Sequence, residues 1–206
     1  MLLAIDTSAG SSVAVVDLDR GVLADRSIDD TMRHAEVIGS LIDDALREAH
    51  VTAAELSAVA AGMGPGPFTG LRVGIAAARA FAIGAGIPLV PLVSHDAVAR
   101  QRYEAGATGG LLVVTDARRR EVYWSAYRGL DDVGIPIRID GPGLCKPDVL
   151  PHADLERLDA ASVSAAELGM LAELTYLHGR PFASDQPLYL RSPDVTLSNG
   201  PKRVTA

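Results

Sequence analysis

A glycine-rich segment in the first half of the chain has the residue types of a phosphate site. Its sequence, Gly62-Met-Gly-Pro-Gly-Pro-Phe-Thr-Gly70, leads directly into a helical pattern at 68–84. Glycine lets the backbone approach a ligand closely, and the free N–H groups at the start of a helix can hold an anion. The P-loop pattern fails, because Leu71 rather than lysine follows Gly70 and no lysine precedes Lys146. The residues alone leave a tightly packed turn and an anion site both open, with the turn slightly favoured.

A short polar sequence, Asp6-Thr7-Ser8, follows the first predicted strand and is the second candidate for chemistry. Such residues readily bond to local backbone, so a simple turn is the competing interpretation. The histidines form no pair with metal-binding spacing, and His95 has Ala99 four positions further on. Cys145 is the only cysteine, which excludes thiolate metal clusters and an intrachain disulfide. We therefore expect no metal site and no catalytic residue in this chain.

The elements that would position these residues follow a regular order. Short links at 7–11 and 19–21 favour an antiparallel meander for the first three strands, and an amphipathic helix comes next. A thinner second set of strands follows, where prolines are frequent. The predicted strands are 2–5, 12–18, 22–28, 58–61, 87–93, 111–115, 121–128 and 135–140, and the predicted helices are 32–50, 68–84, 96–104 and 164–178. This order predicts an α/β chain whose second half is reduced.

Composition indicates an ordinary globular chain with an acidic balance. The 206 residues include 48% hydrophobic and 22% charged side chains, with a net charge of −7. Nucleic-acid binding normally needs a basic face, and the only compact basic run is Arg118-Arg119-Arg120. Direct nucleic-acid binding by this chain alone is therefore disfavoured. Asp6 interrupts the first apolar run and no run reaches membrane-spanning length, so we expect a cytoplasmic protein that makes no membrane contact.

Five sets of segments, in the same order from residue 2 to residue 191, together identify a family. They are Leu2-Leu-Ala-Ile-Asp-Thr-Ser8, Gly64-Pro-Gly-Pro-Phe-Thr-Gly-Leu-Arg-Val-Gly74, Gly86-Ile-Pro88, Asp116-Ala-Arg118 with Glu121-Val-Tyr123, and Pro187-Leu-Tyr-Leu-Arg191. The set resembles the TsaB (YeaZ) family of bacterial proteins of tRNA threonylcarbamoyladenosine synthesis. Each segment alone is weak, but together they cover nearly the whole chain.

The resemblance implies the fold of the actin/Hsp70/sugar-kinase (ASKHA) superfamily. This is an α/β, ribonuclease-H-like fold of two lobes, each with a central mixed sheet flanked by helices. We expect an N-terminal lobe with the partner-binding helices at 1–108, a reduced C-terminal lobe at 109–191 and a disordered tail at 192–206. Relatives with this fold place an acid after the first strand, near nucleotide-bound magnesium. A vestigial nucleotide cleft is therefore expected, formed by Asp6, Thr7, Ser8, Gly64, Gly66, Thr69 and Gly70.

The resemblance further implies a non-catalytic scaffold or activator subunit. It would pair with TsaD, and with the ATPase TsaE, for threonylcarbamoylation of adenosine 37 (t6A37) in ANN-decoding tRNAs. TsaD would bind the metal and carry out the reaction, and tRNA would bind only to the complex. No cofactor would bind this chain tightly, and ATP or ADP would bind at the interface with TsaD. Two alternatives stay open: a small ATP-dependent sugar- or acetate-type kinase, which needs a complete second lobe, and a glycoprotease-like metallopeptidase, which needs a histidine pair.

The two long helices carry the predicted partner surface. In the family, the helices that match 32–49 and 68–84 join those of a second subunit in a helical bundle. The isolated chain is therefore expected to form a homodimer, which TsaD displaces by using the same surface. The second helix has only Arg72 and Arg79 as charges and is otherwise apolar. The predicted interface residues are Ala35, Ile38, Leu41, Ile42, Ala45, Leu71, Gly74, Ile75 and Ala78.

Overall fold

Nine strands in two sheets and four α-helices make up the protein in a computed structural model, which describes residues 1–29 and 33–191. The strands are β1 Leu2–Asp6, β2 Ser11–Asp17, β3 Gly21–Ile28, β4 Ala58–Gly62, β5 Leu89–Leu92, β6 Leu111–Asp116, β7 Val122–Leu130, β8 Pro136–Cys145 and β9 Glu156–Asp159. The helices are α1 His34–Ala49, α2 Phe68–Ala85, α3 Ser94–Glu104 and α4 Ala165–Leu177. The expected α/β fold with two mixed sheets is confirmed.

The first sheet has the order β3-β2-β1-β4-β5 and is covered on both faces. The first three strands form the expected antiparallel meander, whereas β4 and β5 run parallel to β1. Successive side chains of β1 point to opposite faces, so Leu3 packs with α1 and α2 while Ala4 packs with α3 and α4. Burial on both faces explains why β1 and β4 are almost wholly apolar.

The second sheet, in the order β8-β7-β6-β9, is joined to the first by a shared core. The apolar cluster that contains Ala4 and Val16 of the first sheet also contains Leu111 and Tyr127 of the second. The helix α4, expected to belong to the reduced lobe at 109–191, packs instead against β1 and β2 of the first sheet. Gly169 makes this possible, because a side chain there would collide with Val16 and Ala4.

Several boundaries differ from the predicted ones for identifiable reasons. The strand β9 was not predicted, because its four residues are mostly charged and exposed and have no apolar period. The strand β8 continues through Pro142 to Cys145, which an edge strand tolerates because one side of it needs no ladder partner. The helix α3 begins at Ser94 rather than at 96. Residue 32 of the predicted first helix and the expected tail at 192–206 lie outside the described residues.

One helix passes a length-and-composition test for a membrane span, contrary to the expectation that no such run exists. This helix is α2, and core helices of soluble proteins pass the same test. In the structure, Leu71, Ile75, Ala78 and Ala82 lie along one side of α2 and pack into the apolar cluster on the first sheet. The apolar character of α2 is thus explained, over that side, by packing within this chain.

Candidate functional site

The two polar segments meet at one edge of the first sheet. Because β1, β4 and β5 are parallel neighbours, their carboxyl ends lie side by side. The strand β1 ends at Asp6, β4 leads into the glycine-rich loop, and β5 is followed by Ser94 at the start of α3. In α/β sheets, this edge is where ligands are usually bound. We therefore take it as the candidate functional site.

The carboxyl group of Asp6 is buried and its two oxygens accept hydrogen bonds from three donors. Oδ1 accepts from the backbone N–H of Ser8 at 2.8 Å and from the Ser8 hydroxyl at 2.5 Å. Oδ2 accepts from the Ser94 hydroxyl at 2.5 Å. Burial raises the pKa of Asp6, while the hydrogen bonds from Ser8 and Ser94 act in the opposite direction. The side chain is thus engaged by protein groups on both oxygens.

Thr7 links the same turn to the first turns of α2. Its hydroxyl donates to the backbone carbonyl of Gly70 at 2.7 Å and accepts from the backbone N–H of Gly74 at 3.1 Å. A Cβ atom at position 74 would collide with the Thr7 side chain. The glycine at 74 is therefore required so that α2 can pack directly on the end of β1.

The glycine-rich loop lies directly on the Asp6-Thr7-Ser8 turn. A Cβ atom at Gly66 would lie 2.8 Å from the Cα atom of Ser8, and one at Gly62 would collide with the Asp6 carboxylate. Neither glycine position has room for a methyl group. On this side, the loop packs against protein rather than facing an open cleft.

The last described residues form a cover over the outer side of the loop. The backbone N–H of Leu188 donates to the Met63 carbonyl at 2.8 Å, and the Tyr189 ring lies 4.7 Å from the Phe68 ring. From the second sheet, the Tyr123 hydroxyl donates to the Gly66 carbonyl at 3.2 Å. The loop is thus held from three directions by residues of this chain.

The seven residues predicted for a vestigial nucleotide cleft are indeed brought together. Six of them are buried and contact one another, whereas Thr69, at the start of α2, is exposed. The exposed start of α2 is the part of this set that a ligand could approach. Binding of ATP or ADP here stays a prediction.

Sequence reasoning missed three polar residues that support this edge. Ser94 holds Asp6 and also accepts from the Gly64 N–H at 3.1 Å. His34 lies under the loop, with its Nδ1 atom 2.7 Å from the Ser11 hydroxyl. The position of Ser94 directly after a parallel strand was the one available signal, whereas nothing in the sequence marks the pairing of Ser11 with His34.

His95 connects α3 to the second sheet. Its Nδ1 atom lies 2.8 Å from the Ser125 hydroxyl, and its Nε2 atom lies 2.9 Å from the Thr115 hydroxyl. Burial, with a smaller contribution from nearby Arg138, lowers the pKa of His95 to about 3. The imidazole is therefore neutral at pH 7 and acts as a hydrogen-bonding link. Within residues 1–29 and 33–191, no group of three His, Cys, Asp or Glu side chains could hold a metal ion.

A separate cavity of about 280 Å³ lies between the two sheets. Its polar lining includes Asp96 and Arg138, which approach each other to 3.5 Å. Burial raises the pKa of Asp96, and the charge of Arg138 and a hydrogen bond from Tyr127 oppose this effect. The charged groups of this cavity are thus already paired within the chain.

Most of the predicted interface residues lie inside the first lobe. Seven of the nine are buried in the cluster between the helices and the sheet or at the contact with Thr7, and Ala35 and Ile42 are the two that retain exposure. The apolar stripe of each helix faces its own sheet, and the assignment of these residues to a partner interface stays a prediction. The outward side of α2 consists of other residues, among them Ala76, Ala80 and the 82% exposed Ile83. The buried seven are Ile38, Leu41, Ala45, Leu71, Gly74, Ile75 and Ala78.

Comparison with protein families gives a match over more than half of the chain. Residues 22–140 match the family model described as TsaD, tRNA N6-adenosine threonylcarbamoyltransferase. An uncharacterized protein of Mycobacterium tuberculosis is 41% identical over 203 residues, which cover 94% of this chain and 93% of that protein. The Escherichia coli protein named tRNA threonylcarbamoyladenosine biosynthesis protein TsaB is 29% identical over 163 residues, covering 79% of this chain and 69% of the relative.

Solved structures agree with the sequence matches. The structure of YeaZ from Pseudomonas aeruginosa superposes with a TM-score of 0.75 at 26% identity, covering 92% of this chain and 99% of that one. A second structure from P. aeruginosa, described as similar to peptidase YEAZ, gives a TM-score of 0.77 at 25% identity, with the same coverage. The similarity therefore extends over both sheets of the fold.

Proposed function

This chain belongs to the TsaB (YeaZ) family, and we propose that it is the non-catalytic subunit of a complex that forms threonylcarbamoyladenosine in tRNA. In this proposal, it pairs with TsaD and, through the complex, with TsaE. The product is t6A at position 37 of ANN-decoding tRNAs. The chain orders TsaD, which carries the metal and the chemistry.

The observation that carries this proposal is the state of Asp6. The family resemblance implies that nucleotide-dependent relatives with this fold place the acid after the first strand near nucleotide-bound magnesium. Here both oxygens of that carboxyl accept hydrogen bonds from Ser8 and Ser94, and the side chain is 2% exposed. These hydrogen bonds join the Asp6-Thr7-Ser8 turn to the start of α3, which supports a structural role.

In this proposal, a nucleotide binds at the surface of this chain, where the chain contacts TsaD. The start of α2, where Thr69 is exposed, forms one wall of a pocket, and TsaD supplies the remainder. This arrangement gives ATP or ADP a place at the subunit interface without tight binding to the lone chain.

The partner surface is proposed to be the outward side of α1 and α2. On α2, Ala76 and Ala80 are exposed and small, so a partner helix can approach closely, and Ile83 offers a large apolar side chain. On α1, Ala35 and Gly39 are exposed in the same way. The lone chain would form a homodimer through this surface and exchange its second copy for TsaD.

The test is reconstitution from purified chain, TsaD, TsaE, tRNA transcript, threonine, bicarbonate, ATP and the enzyme that supplies threonylcarbamoyl-AMP. Formation of t6A should require both this chain and TsaD, and the chain alone should neither hydrolyse ATP nor cleave peptides. Ile83→Asp should lower TsaD affinity and t6A formation together, because it places a charge on the apolar surface.

The matched control is Leu177→Asp, which changes an exposed leucine at the end of α4. It should leave TsaD affinity unchanged. Steady ATP turnover by the lone chain, or equal TsaD affinity of the Ile83→Asp and Leu177→Asp proteins, would contradict the proposal.

A further inference from the structure

A line of basic and aromatic side chains crosses the surface beside the glycine-rich loop. The guanidinium of Arg72 lies 4.9 Å from the centroid of the Phe68 ring, and that ring lies 4.7 Å from the Tyr189 ring. Arg191, two positions after Tyr189, donates to the backbone carbonyl of Arg118 at 3.3 Å. We refer to this set as the basic strip: Arg72, Phe68, Tyr189, Arg191 and the turn Arg118–Arg120.

The arginine turn at one end of the strip has an uncommon backbone. It joins β6 to β7, all three side chains are exposed, and the φ angles are 60°, 53° and 62°. Residues with a Cβ atom rarely adopt these angles, and three in succession are rarer still. The Ala117 N–H donates to the Glu121 carbonyl at 3.0 Å, and the Arg118 N–H donates to Asp116 Oδ1 at 2.9 Å. The turn is therefore held in place by its own backbone, and the choice of arginine there points to a use for the side chains.

The charge of the strip is opposite to that of the whole chain. Five arginines lie in it. Among residues 1–29 and 33–191, Asp116 accepts from the Arg118 N–H and Glu121 forms an ion pair with Arg191. Within the described part of the chain, Arg120 makes no ion pair. Since the net charge of the chain is −7, the strip is a local positive region on an acidic protein. An anionic partner would be drawn to it.

We infer that the basic strip binds the phosphate backbone of an RNA and stacks an unpaired base on the Tyr189 ring. The inference rests on the proposed function, which supplies an RNA substrate. Guanidinium groups bind phosphates through paired N–H donors, and aromatic rings stack on bases of single strands. Tyr189 is 39% exposed, and Phe68 supports it from one side. Two adjacent aromatic rings with arginines on either side suit an RNA loop better than a paired duplex.

We expect the basic strip to bind RNA when this chain is part of the assembled complex, because the lone chain is acidic overall. The basic strip lies at the same sheet edge as the candidate site, because Phe68 begins α2 and Tyr123, just after the arginine turn, donates to the Gly66 carbonyl. An RNA loop bound there would be held close to the interface with the catalytic partner.

The test measures binding of a fluorescent RNA stem-loop with an unpaired loop to the complex of this chain with TsaD, over a range of salt concentrations. Arg120→Asn keeps a residue that tolerates the left-handed backbone and should reduce the slope of log affinity against log salt by roughly one. Tyr189→Ala should lower affinity for the stem-loop by roughly tenfold and leave affinity for a fully paired duplex nearly unchanged.

Matched controls are available on the same protein. Arg128→Asn removes an exposed arginine from β7 away from the turn, and Tyr176→Ala removes an exposed tyrosine from α4. Both should bind RNA like wild type. Equal RNA binding by strip variants and controls, loss of TsaD rather than RNA affinity, or no RNA binding by the wild-type complex would each overturn the inference. RNA binding with this pattern but without t6A formation would instead refute the proposed function and leave the strip standing.

Discussion

The hydroxyl of Ser94 donates to Asp6 Oδ2 at 2.5 Å, although the two residues are 88 positions apart in the chain. The same hydroxyl accepts from the Gly64 N–H, and the Ser94 N–H donates to the Gly64 carbonyl at 2.8 Å. One serine thus joins the end of β1, the glycine-rich loop and the start of α3. The residues most suggestive of nucleotide chemistry are held by one another at this junction.

Ser94→Ala should destabilise the first lobe. The substitution leaves Asp6 Oδ2 and the Gly64 N–H buried without their partner, which costs about 1–3 kcal/mol per unsatisfied group. Urea denaturation would measure the change in free energy of unfolding. Ser57→Ala, which removes an exposed hydroxyl bonded to the Met1 carbonyl, is the control and should change it by less than about 1 kcal/mol. Equal effects of the two changes would contradict the role of Ser94.

Gly66→Ala should lower stability through a steric clash. The φ angle of Gly66 is not in the left-handed region, so the cost comes from the 2.8 Å approach to Ser8 Cα and should be about 1–3 kcal/mol. Gly84→Ala, at an exposed position of α2 with open space around it, should be neutral or stabilising by up to about 1 kcal/mol. Differential scanning calorimetry measures both. A Gly66→Ala protein as stable as wild type, yet with lost nucleotide binding in the TsaD complex, would show that the loop is a ligand site.

Ala78→Asp and Ala80→Asp should separate core from surface on α2. Ala78 is fully buried, so an aspartate there would be an unpaired buried charge and should cost several kcal/mol, on the order of 3–5. Ala80 is exposed, and its replacement should change stability by less than about 1 kcal/mol. Circular dichroism and urea denaturation measure the difference. A stable Ala78→Asp protein that loses only its affinity for TsaD would show that Ala78 lies at the interface with TsaD.

The stability of the protein should decrease in acid because of His95. Its pKa is about 3 in the folded protein, lowered chiefly by burial, and near 6.5 when unfolded. The unfolded state therefore takes up a proton first, so this contribution to stability is complete above about pH 6.5 and is lost progressively as the pH falls toward 3, by roughly 5 kcal/mol in all.

His95→Gln keeps a hydrogen-bonding side chain that does not titrate. It should flatten the dependence of unfolding free energy on pH between about 6.5 and 3. His178→Gln, which changes an exposed histidine, is the matched control for the loss of an imidazole. An identical pH dependence in wild-type and His95→Gln proteins would show that the buried imidazole is not responsible.

The sequence predicted most elements because β1 and α2 are almost unbroken apolar segments and α1 has apolar residues at regular helical spacing. The sequence did not reveal which surface packs against the apolar faces of these elements. The stripe containing Ile38 and Ala78 suggested a partner, whereas the first sheet of the same chain covers it. Helix periodicity specifies that a face is buried, but the burying surface is a tertiary contact. The packing of α4 on β1 could not be predicted for the same reason, since the need for glycine at 169 arises from its close contact with Val16 of the first sheet.

The candidate site was predicted as a set of residues but not as a geometry. Asp6, Thr7 and the loop glycines were correctly brought to one place, because parallel strands end at one edge of a sheet. Ser94 went unnoticed, since a serine before a helix is common and its partner lies 88 positions away. The same residue types can hold a phosphate or hold one another, and only the distances distinguish the two cases.

The most direct test of the scaffold role is the rate of t6A formation by a complex that contains the Asp6→Asn chain. Asparagine has nearly the same shape and can still bond to Ser8 and Ser94, but it cannot serve as a charged metal ligand. At matched concentrations of folded complex, with TsaD affinity and thermal stability measured alongside, we predict the wild-type rate. A rate that falls by tenfold or more, roughly 1.4 kcal/mol of activation free energy, while folding and TsaD binding stay unchanged, would contradict the account and assign Asp6 to the chemistry.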